Sequence, residues 1–264
     1  MKKYWFVTKN SLAEYMTYRL NFVLWRVRVV ISVLITFFLW QTIYAGRGEI
    51  FNYNQSQMMT YIILLSFISA VVMSTQTFRV AEEINSGSLS NFLIRPLSYF
   101  RFNLSRDLAD KIINIIFAVI EVPLIILIFR PPFFWQTNPF NLIIFVFSLI
   151  LSTLLFFEIS MLLSFIGFWS REVWAPRFIF FILIAFLAGT YFPLDILPAP
   201  LYAFLKLLPF TYLIFFPLKI YLGQVSFAFM ASGLAITCSW IFVLFLIMNK
   251  VWRNGLKIYT AEGK

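Results

Sequence analysis

The sequence predicts an all-α integral membrane protein with six transmembrane helices. Three observations predict this fold: 61% of the 264 residues are hydrophobic, only 12% are charged, and the apolar residues fall into six long runs. An average soluble domain carries about 25% charged residues, which excludes an ordinary soluble globular protein. A bilayer core requires about 20 mostly apolar residues per helix, and most of the runs are about that long.

The six predicted spans follow one another along the chain. They cover residues 27–44, 58–78, 112–129, 140–168, 178–192 and 227–249. Since no linker or low-complexity tract separates them, we predict a single membrane domain over residues 1–264. An even number of spans places both ends of the sequence on one side of the membrane.

The basic residues predict the orientation of these spans. Of the 21 Lys and Arg residues, 17 lie in segments on the side of the termini and 4 on the opposite side. Because basic residues gather in cytoplasmic loops, we expect the N- and C-termini to lie in the cytoplasm. The net charge of +10 is therefore a topology signal, and we expect membrane lipid rather than nucleic acid as a partner.

Residues 1–25 are predicted to form an interfacial helix. One helical face is apolar and the other polar: Trp5, Leu12, Met16 and Leu20 against Lys3, Asn10, Glu14, Thr17 and Asn21. The alternative is a cytoplasmic extension of the first span. No removable signal peptide is expected, because the polar residues interrupt the apolar run.

The largest cytoplasmic loop is predicted over residues 79–111. In it, Gly87 ends a helical extension of the second span, and Ser88 caps a new short helix. The new helix has an apolar side and a stop signal: Leu89, Phe92 and Leu93, followed by Arg95 and Pro96. It either docks into a cleft on a soluble partner or packs on its own bundle.

The region after the fifth span, residues 193–226, is apolar but interrupted by prolines. The fifth span itself is short, with about 15 apolar residues before Pro193. Irregular backbone at membrane depth requires protein or water to satisfy its polar groups. We therefore predict short re-entrant or interfacial helices on the outer side, ending around Gly223. The alternative is an ordinary apolar external loop.

Two acidic residues, Glu121 and Glu158, lie well inside predicted spans. Because a charge there is costly, such residues usually face protein or water. Each is either a polar point on a path for a cationic compound, or a carboxyl that fixes helix positions by bonding Asn114, Ser160 or an Arg of the first span. We expect Arg26 and Arg28 to snorkel to the headgroups.

Three segments resemble the membrane subunits of ABC-2 type exporters. Residues 82–98, with Gly87, the Leu pattern and the closing Arg95–Pro96, resemble the coupling-helix segment of that family. The stretch Gly189-Thr-Tyr-Phe-Pro193-Leu-Asp195-Ile-Leu-Pro198, followed by Leu208-Pro209-Phe210-Thr-Tyr212, resembles the signature after the fifth span. Residues 252–259 are similar to the ending of a bacterial subgroup, related to daunorubicin- and viologen-type exporters, which implies the bacterial cytoplasmic (inner) membrane.

The resemblance implies one half of a permease that exports a hydrophobic or amphipathic compound, such as a drug, antibiotic or lipid. It implies a second permease, identical or homologous, and two ABC ATPase subunits, with ATP and Mg on those partners. Residues 1–25 would be the elbow helix. Two sets of functional residues are implied: Glu82, Glu83, Gly87, Ser88, Leu89, Phe92, Leu93, Arg95 and Pro96 for ATPase coupling, and Gly189, Pro193, Asp195, Pro198 and Pro209 for an external gate.

The chain itself is expected to have no catalytic residue, metal site or cofactor. It carries no Gly-x-x-x-x-Gly-Lys-Ser/Thr phosphate loop, so ATP hydrolysis would occur on another chain. With no His and one Cys, the sequence excludes an internal disulfide, a Cys/His zinc site and a His-based nucleophile pair. A secondary carrier or channel is the main alternative, and a membrane enzyme acting on lipid is a third.

Overall fold

The computed structural model describes residues 2–17 and 19–260. Within these ranges the chain forms eleven α-helices, one short β-hairpin and three 3₁₀ turns. The helices are α1 (Lys2–Thr17), α2 (Arg19–Ile43), α3 (Gln55–Val72), α4 (Phe78–Asn85), α5 (Ser90–Leu93), α6 (Tyr99–Phe129), α7 (Pro139–Ser164), α8 (Trp174–Leu187), α9 (Ala199–Leu205), α10 (Phe215–Tyr221) and α11 (Phe227–Ile258). The strands are β1 (Glu49–Ile50) and β2 (Tyr53–Asn54), and the 3₁₀ turns are Phe165–Phe168, Leu194–Ile196 and Pro209–Tyr212.

The six predicted apolar runs all form helices, which confirms the all-α membrane fold. Helices α2, α3, α6, α7 and α11 are long and apolar enough to cross a membrane. Helix α8 is shorter, with 14 residues, as the prolines after it predicted. Helix α6 begins at Tyr99, so residues 99–111 of the predicted loop are helical. At about 46 Å, α6 is longer than the roughly 30 Å hydrocarbon core and extends beyond it.

Hydrogen bonds identify the helix ends that lie together. At one end of the bundle, Lys3 Nζ donates to the Pro96 carbonyl and Tyr259 Oη donates to the Gly87 carbonyl. We call this the terminal end, because both described ends of the chain lie there. At the other end, the β1–β2 hairpin contacts the segment between α8 and α11. We call that the hairpin end, after the β1–β2 hairpin.

Helices α1 and α2 run alongside α6 in the same direction. The contacts advance in step, with partners 94 to 97 residues apart: Tyr4 with Ser98, Thr8 with Ser105, Tyr15 with Asp110, and Arg26 with Glu121. A constant offset means parallel helices, which favours an extension of the first span over a helix crossing the base of the bundle. The side chains of Met16, Leu20 and Asn21, which were assigned to the two faces of this helix, lie outside the described residues.

Helices α9 and α10 lie on the two sides of a sharp turn, and we call this pair the re-entrant hairpin after the segment that the sequence predicted. Their axes are bent by 79° at the turn between them. The two ends of the hairpin meet, because Lys219 Nζ donates to Asp195 Oδ2 over 2.8 Å at the hairpin end. The turn lies deep in the bundle: Ser152, about 20 Å along α7 from its start, donates to the Tyr212 carbonyl. These two contacts favour a segment that enters and returns on one side over a broken span. Helix α10 ends at Tyr221, two residues before Gly223, which has φ +68° and lies where the end was predicted.

Two clusters of buried residues form the core. The larger one joins α3, α7, α8 and the re-entrant hairpin along the length of the bundle. The smaller one lies at the terminal end and includes Val80, Leu89, Tyr99, Phe165 and Met248, with the partly buried Trp252 packed against it. The terminal end thus has its own apolar core, distinct from that of the spans.

We predict that both ends of the re-entrant hairpin react with a membrane-impermeant thiol reagent from the same side. In a Cys238→Ser background, Ala199→Cys and Ser226→Cys are both expected to be labelled in intact cells. Arg171→Cys, at the terminal end, serves as the opposite-side control and should react only after permeabilisation. Opposite labelling of positions 199 and 226 would show instead that α9 and α10 together cross the membrane.

Candidate coupling platform and polar sites in the spans

Residues 78–98 at the terminal end form the feature that we call the coupling platform. Helix α4 ends at Asn85, and Gly87 with φ +75° reverses the chain, as the sequence predicted. Two details of the prediction are wrong. Helix α4 does not continue α3, since residues 73–77 separate them. Ser88 is not a helix cap, since α5 begins at Ser90 without a side-chain cap and Ser88 Oγ lies 2.9 Å from Ser86 Oγ.

The apolar side of α5 is divided between the bundle and solvent. Leu89 is fully buried in the terminal-end core. The Phe92 ring packs 4.8 Å from the ring of Phe102 on α6. In contrast, Leu93 is 45% exposed and Ile94 is 84% exposed. The helix therefore packs on its own bundle with one part of its apolar surface and presents the other part outward, together with the exposed Arg95 and Pro96.

The two adjacent glutamates of α4 point in different directions. Glu82 is exposed. Glu83 is buried and accepts hydrogen bonds from Tyr99 Oη over 2.5 Å and from Arg106 Nη1 over 2.6 Å. In contrast to the expectation that both glutamates meet a partner, Glu83 is bound within its own bundle. Its carboxylate attaches α4 to the first turns of α6.

Both described ends of the chain hold the platform. Tyr259 Oη accepts the Ser90 N–H over 3.0 Å and donates to the Gly87 carbonyl over 2.5 Å. Two helical turns earlier, the Trp252 ring stacks on Tyr99 at 4.9 Å with an interplanar angle of 14°. Sequence reasoning found Trp252 and Tyr259 only as part of a family-like ending, because nothing local in the sequence reports their distant partners.

Helix α1 adds a charged contact to the platform. Arg79 donates to both carboxylate oxygens of Glu14, over 2.8 and 2.7 Å. The hydrogen bond from Arg79 lowers the pKa of Glu14 and raises the pKa of Arg79. Both side chains are partly exposed, so this pair contributes at most about 1 kcal/mol. Its main effect is to orient α1 against α4.

A polar joint, residues 73–77, connects the platform to the spans. Lys111 Nζ caps the end of α3, donating to the carbonyls of Val71, Val72 and Ser74 over 3.1, 3.3 and 2.8 Å. It also pairs with Asp107 on α6, 3.2 Å away. The broken end of α3 is therefore fixed to α6.

Arg177 fixes the same joint to α7 and α8. Its guanidinium donates to Ser164 Oγ over 2.5 Å and to Thr77 Oγ1 over 2.9 Å, and Ser164 Oγ donates to the Thr77 carbonyl. Sequence reasoning missed Lys111 and Arg177 as functional candidates, because it counted them only as positive charges on one side of the membrane. The break in a span before a short amphipathic helix is the signal that could have indicated such caps.

Glu121 is part of a buried charge cluster between α2 and α6. Arg26 Nε donates to Glu121 Oε1 over 2.8 Å, Nη2 bonds the second carboxylate oxygen, and Nη1 donates to Asn114 Oδ1 over 3.2 Å. Arg26 is only 4% exposed. The expectation that Arg26 snorkels is therefore wrong, because its partner lies inside the bundle. Pro123 lies two residues after Glu121 inside α6, and because proline has no backbone N–H, one hydrogen bond of this helix is missing there.

Glu158 on α7 differs from Glu121 in having no partner among the described residues. It is 7% exposed, and its Oε2 atom accepts no hydrogen bond. The neighbouring Ser160 hydroxyl is also buried without a partner. Burying an unsatisfied polar group costs free energy, and such groups are concentrated at functional sites. Glu158 therefore stays the stronger candidate for an intramembrane polar site.

Gly189 closes the end of α8 against α3 and α10. It has φ +83°, and a Cβ there would lie 2.9 Å from Tyr61 Oη and 3.1 Å from Phe215 Cβ. Tyr61 Oη donates to the Gly189 carbonyl over 2.7 Å. Only glycine fits both the backbone conformation and the space. Pro193 is buried just beyond, at the start of the next 3₁₀ turn.

Asp195 is the polar centre of the hairpin end. It accepts from Tyr53 Oη over 2.9 and 3.1 Å and from Lys219 Nζ over 2.8 Å. Burial raises the pKa of the Tyr53 hydroxyl, and the Asp195 charge raises it further. Pro198 directly precedes α9, and buried Pro209 begins the 3₁₀ turn at the deep end of the hairpin. The predicted gate residues therefore hold the re-entrant hairpin in shape.

A comparison with protein families decides the identity of this membrane domain. The model of a family described as ABC-2 family transporter protein matches residues 30–263. The chain belongs to the ABC-2 transporter family. This ABC-2 permease is thus the membrane component of an ABC transporter, a class that associates with ABC ATPases. The match includes the platform, both intramembrane glutamates, the re-entrant hairpin and the ending with Trp252 and Tyr259.

A sequence comparison with curated proteins gives no match. Among the described residues, no three His, Cys, Asp or Glu side chains are grouped so that they could hold a metal ion.

We predict that Glu121→Leu destabilises the protein by about 3–5 kcal/mol, because Arg26 would stay buried without its counter-charge. The double variant Arg26→Leu/Glu121→Leu should recover much of this loss, since it buries no unpaired charge. Thermal unfolding of the purified protein in detergent checks both. If the double variant is as unstable as the single one, the charge pair is not the cause.

We predict that Tyr259→Phe loosens the coupling platform. The variant loses two hydrogen bonds, at about 1 kcal/mol each, to the chain around Gly87 and Ser90. Hydrogen exchange over residues 87–94 should become faster, while exchange in α7 should not change. Tyr191→Phe, at an exposed tyrosine of the hairpin end, is the matched control. Unchanged exchange at residues 87–94 would contradict the assigned role.

Proposed function

We propose that this chain is the permease subunit of an ATP-driven exporter and that its coupling platform docks a separate ATPase subunit. The observation that carries the proposal is the exposed apolar pair Leu93 and Ile94 on a segment that both described chain ends hold in place. A mobile loop would pay ordering entropy on docking, whereas this platform is already ordered. The basic residues support a cytoplasmic location for this end, where the ATPase would lie.

The surface around Ile94 has the features of a docking site. Arg95 and Pro96 flank the apolar tip, and Glu82 on α4 of the same platform is also exposed. A groove of about 480 Å³ continues this surface. Its lining carries charges of both signs: Phe78, Arg79, Glu82, Glu83, Ser86, Ser88 and Arg106. We infer that an apolar partner cleft takes Leu93 and Ile94 and that the exposed Glu82 of the groove offers the partner a charged contact.

The polar joint offers a physical route from the docked ATPase to the spans. The platform is fixed to α6 through Glu83 and Arg106 and to the end of α3 through Lys111. Arg177 connects the same joint to the start of α8, the helix that leads directly to Gly189 and the re-entrant hairpin. A rigid movement of the platform would therefore displace three spans together, as coupling requires packed elements between two sites.

We propose that the functional unit contains two permeases, identical or homologous, and two ATPase subunits with ATP and Mg. The exposed apolar faces of α2, α6 and α8 would contact lipid or the second permease. The cargo would be a hydrophobic or amphipathic compound, and the re-entrant hairpin would form part of its gate. The daunorubicin- and viologen-exporter-like subgroup stays a prediction.

One observation favours a second candidate, a carrier or channel that is not driven by ATP. Glu158 is a buried carboxyl without a partner among the described residues, as expected at an ion or proton relay. Within an exporter, the same residue would bind a cationic group of the cargo. The two candidates differ in their need for an ATPase, and the platform variants below separate them.

We predict that Leu93→Glu/Ile94→Glu abolishes co-purification of an ATPase in mild detergent and lowers ATP-dependent transport at least tenfold. The reason is that two charges would enter the apolar contact. Leu104→Glu, which alters an exposed leucine of α6 near the platform, is the control and should retain the partner. All variants should reach the membrane in equal amounts. ATPase binding and transport that survive in the double variant would exclude the platform as the docking site, and transport without any ATPase would favour the carrier.

A further inference from the structure

An open groove along one face of α11 has no part in the coupling platform or in the polar sites described above. It has a volume of about 590 Å³. Seven residues of α11 line it: Phe245, Leu246, Asn249, Lys250, Arg253, Asn254 and Lys257. Positions 246, 250, 253 and 257 recur at helical spacing, so they share one face of the helix. The face is apolar at its start and basic at its end.

Along α11, the lining of the groove changes from apolar to basic side chains where the helix would leave the hydrocarbon core of the membrane. Helix α11 begins at Phe227 and is about 48 Å long. About 20 residues cross the hydrocarbon core, so the border lies near position 247. Above it, Phe242, Phe245 and Leu246 are exposed at 63%, 48% and 52%. Below it lie the amide and cationic side chains of the groove.

The three cations of the groove have no carboxylate partner among the described residues, in contrast to Arg79, Arg106 and Lys111 at the same end of the bundle. Arg79 pairs with Glu14, Arg106 with Glu83, and Lys111 with Asp107. In the part of the chain that the structure describes, no ion pair involves Lys250, Arg253 or Lys257. The lining of the groove contains no acidic side chain. This concentration of positive charge is unbalanced within the described protein.

We propose that this groove binds an anionic phospholipid, with its phosphate between Lys250, Arg253 and Lys257 and an acyl chain along Phe245 and Leu246. Charge complementarity and the adjoining apolar surface at membrane depth both favour this occupant over a free anion, which would use only the basic half. The same helix carries Trp252 and Tyr259, which hold the coupling platform. A bound lipid would therefore stabilise the element on which the platform depends.

The test measures lipid binding by native mass spectrometry of the purified full chain in detergent. The probes are dioleoylphosphatidylglycerol, dioleoylphosphatidylcholine and inorganic phosphate. Each basic residue near an anionic headgroup contributes about fivefold in affinity, equivalent to about 1 kcal/mol. Lys250→Gln/Arg253→Gln/Lys257→Gln is thus expected to weaken phosphatidylglycerol binding by about 100-fold. The charge-preserving variant Lys250→Arg/Arg253→Lys/Lys257→Arg should bind within about threefold of the original chain.

A matched control removes three exposed charges elsewhere at the terminal end: Lys9→Gln/Arg101→Gln/Arg171→Gln. It should retain phosphatidylglycerol binding, and phosphatidylcholine should bind weakly to every variant. If the groove triple does not fold, Arg253→Gln against Arg101→Gln gives the same comparison, with about fivefold expected. Equal binding in the groove and control variants would overturn the proposal. Displacement of the lipid by millimolar inorganic phosphate would also overturn it, because the site would then bind a free anion.

Discussion

The architecture of this permease depends on satisfying backbone polar groups where its helices break inside a bundle with little water. Two breaks matter, the joint after α3 and the re-entrant hairpin after α8. At the first, Lys111 takes three carbonyls at the end of α3. At the second, Tyr61, Ser152 and Trp240 donate to carbonyls of Gly189, Tyr212 and Leu207, and the Phe215 N–H binds the Ala188 carbonyl. Each cap comes from a different helix, so the breaks tie the bundle together.

Buried charges follow the same logic. Arg26 with Glu121 joins α2 to α6, Glu83 with Arg106 joins α4 to α6, and Asp195 with Lys219 closes the re-entrant hairpin. Breaking such a pair is costly, because the remaining partner keeps its burial without its counter-charge. The charges therefore fix which helices are neighbours, while the apolar contacts fill the space between them. Glu158 is the exception, because it is a buried carboxyl without a partner among the described residues, and this makes it a functional candidate.

The terminal end has the character of a small folded unit attached to the spans. Its core draws on α4, α5, α6, α7 and α11, and its surface is the coupling platform. A partner that binds the platform would act on this unit as a whole, and the polar joint would pass the movement to α3, α6 and α8. At the opposite end, the re-entrant hairpin is fixed by the glycine at position 189 and the charge pair at Asp195. The coupling platform and the re-entrant hairpin thus use separate sets of contacts, connected through α8.

The sequence by itself determined the membrane class, the six apolar helices, the short fifth span, the proline-broken segment after it and the chain reversal at Gly87, because apolar length, proline and glycine act locally. It also identified most of the candidate site residues by type. Only the tertiary structure decided their partners. Arg26 binds Glu121 instead of headgroups, Glu83 and Leu89 face inward while Leu93 and Ile94 face outward, and Lys111, Arg177, Trp252 and Tyr259 support the platform. These outcomes depend on contacts between residues 13 to 172 positions apart, which no local pattern encodes.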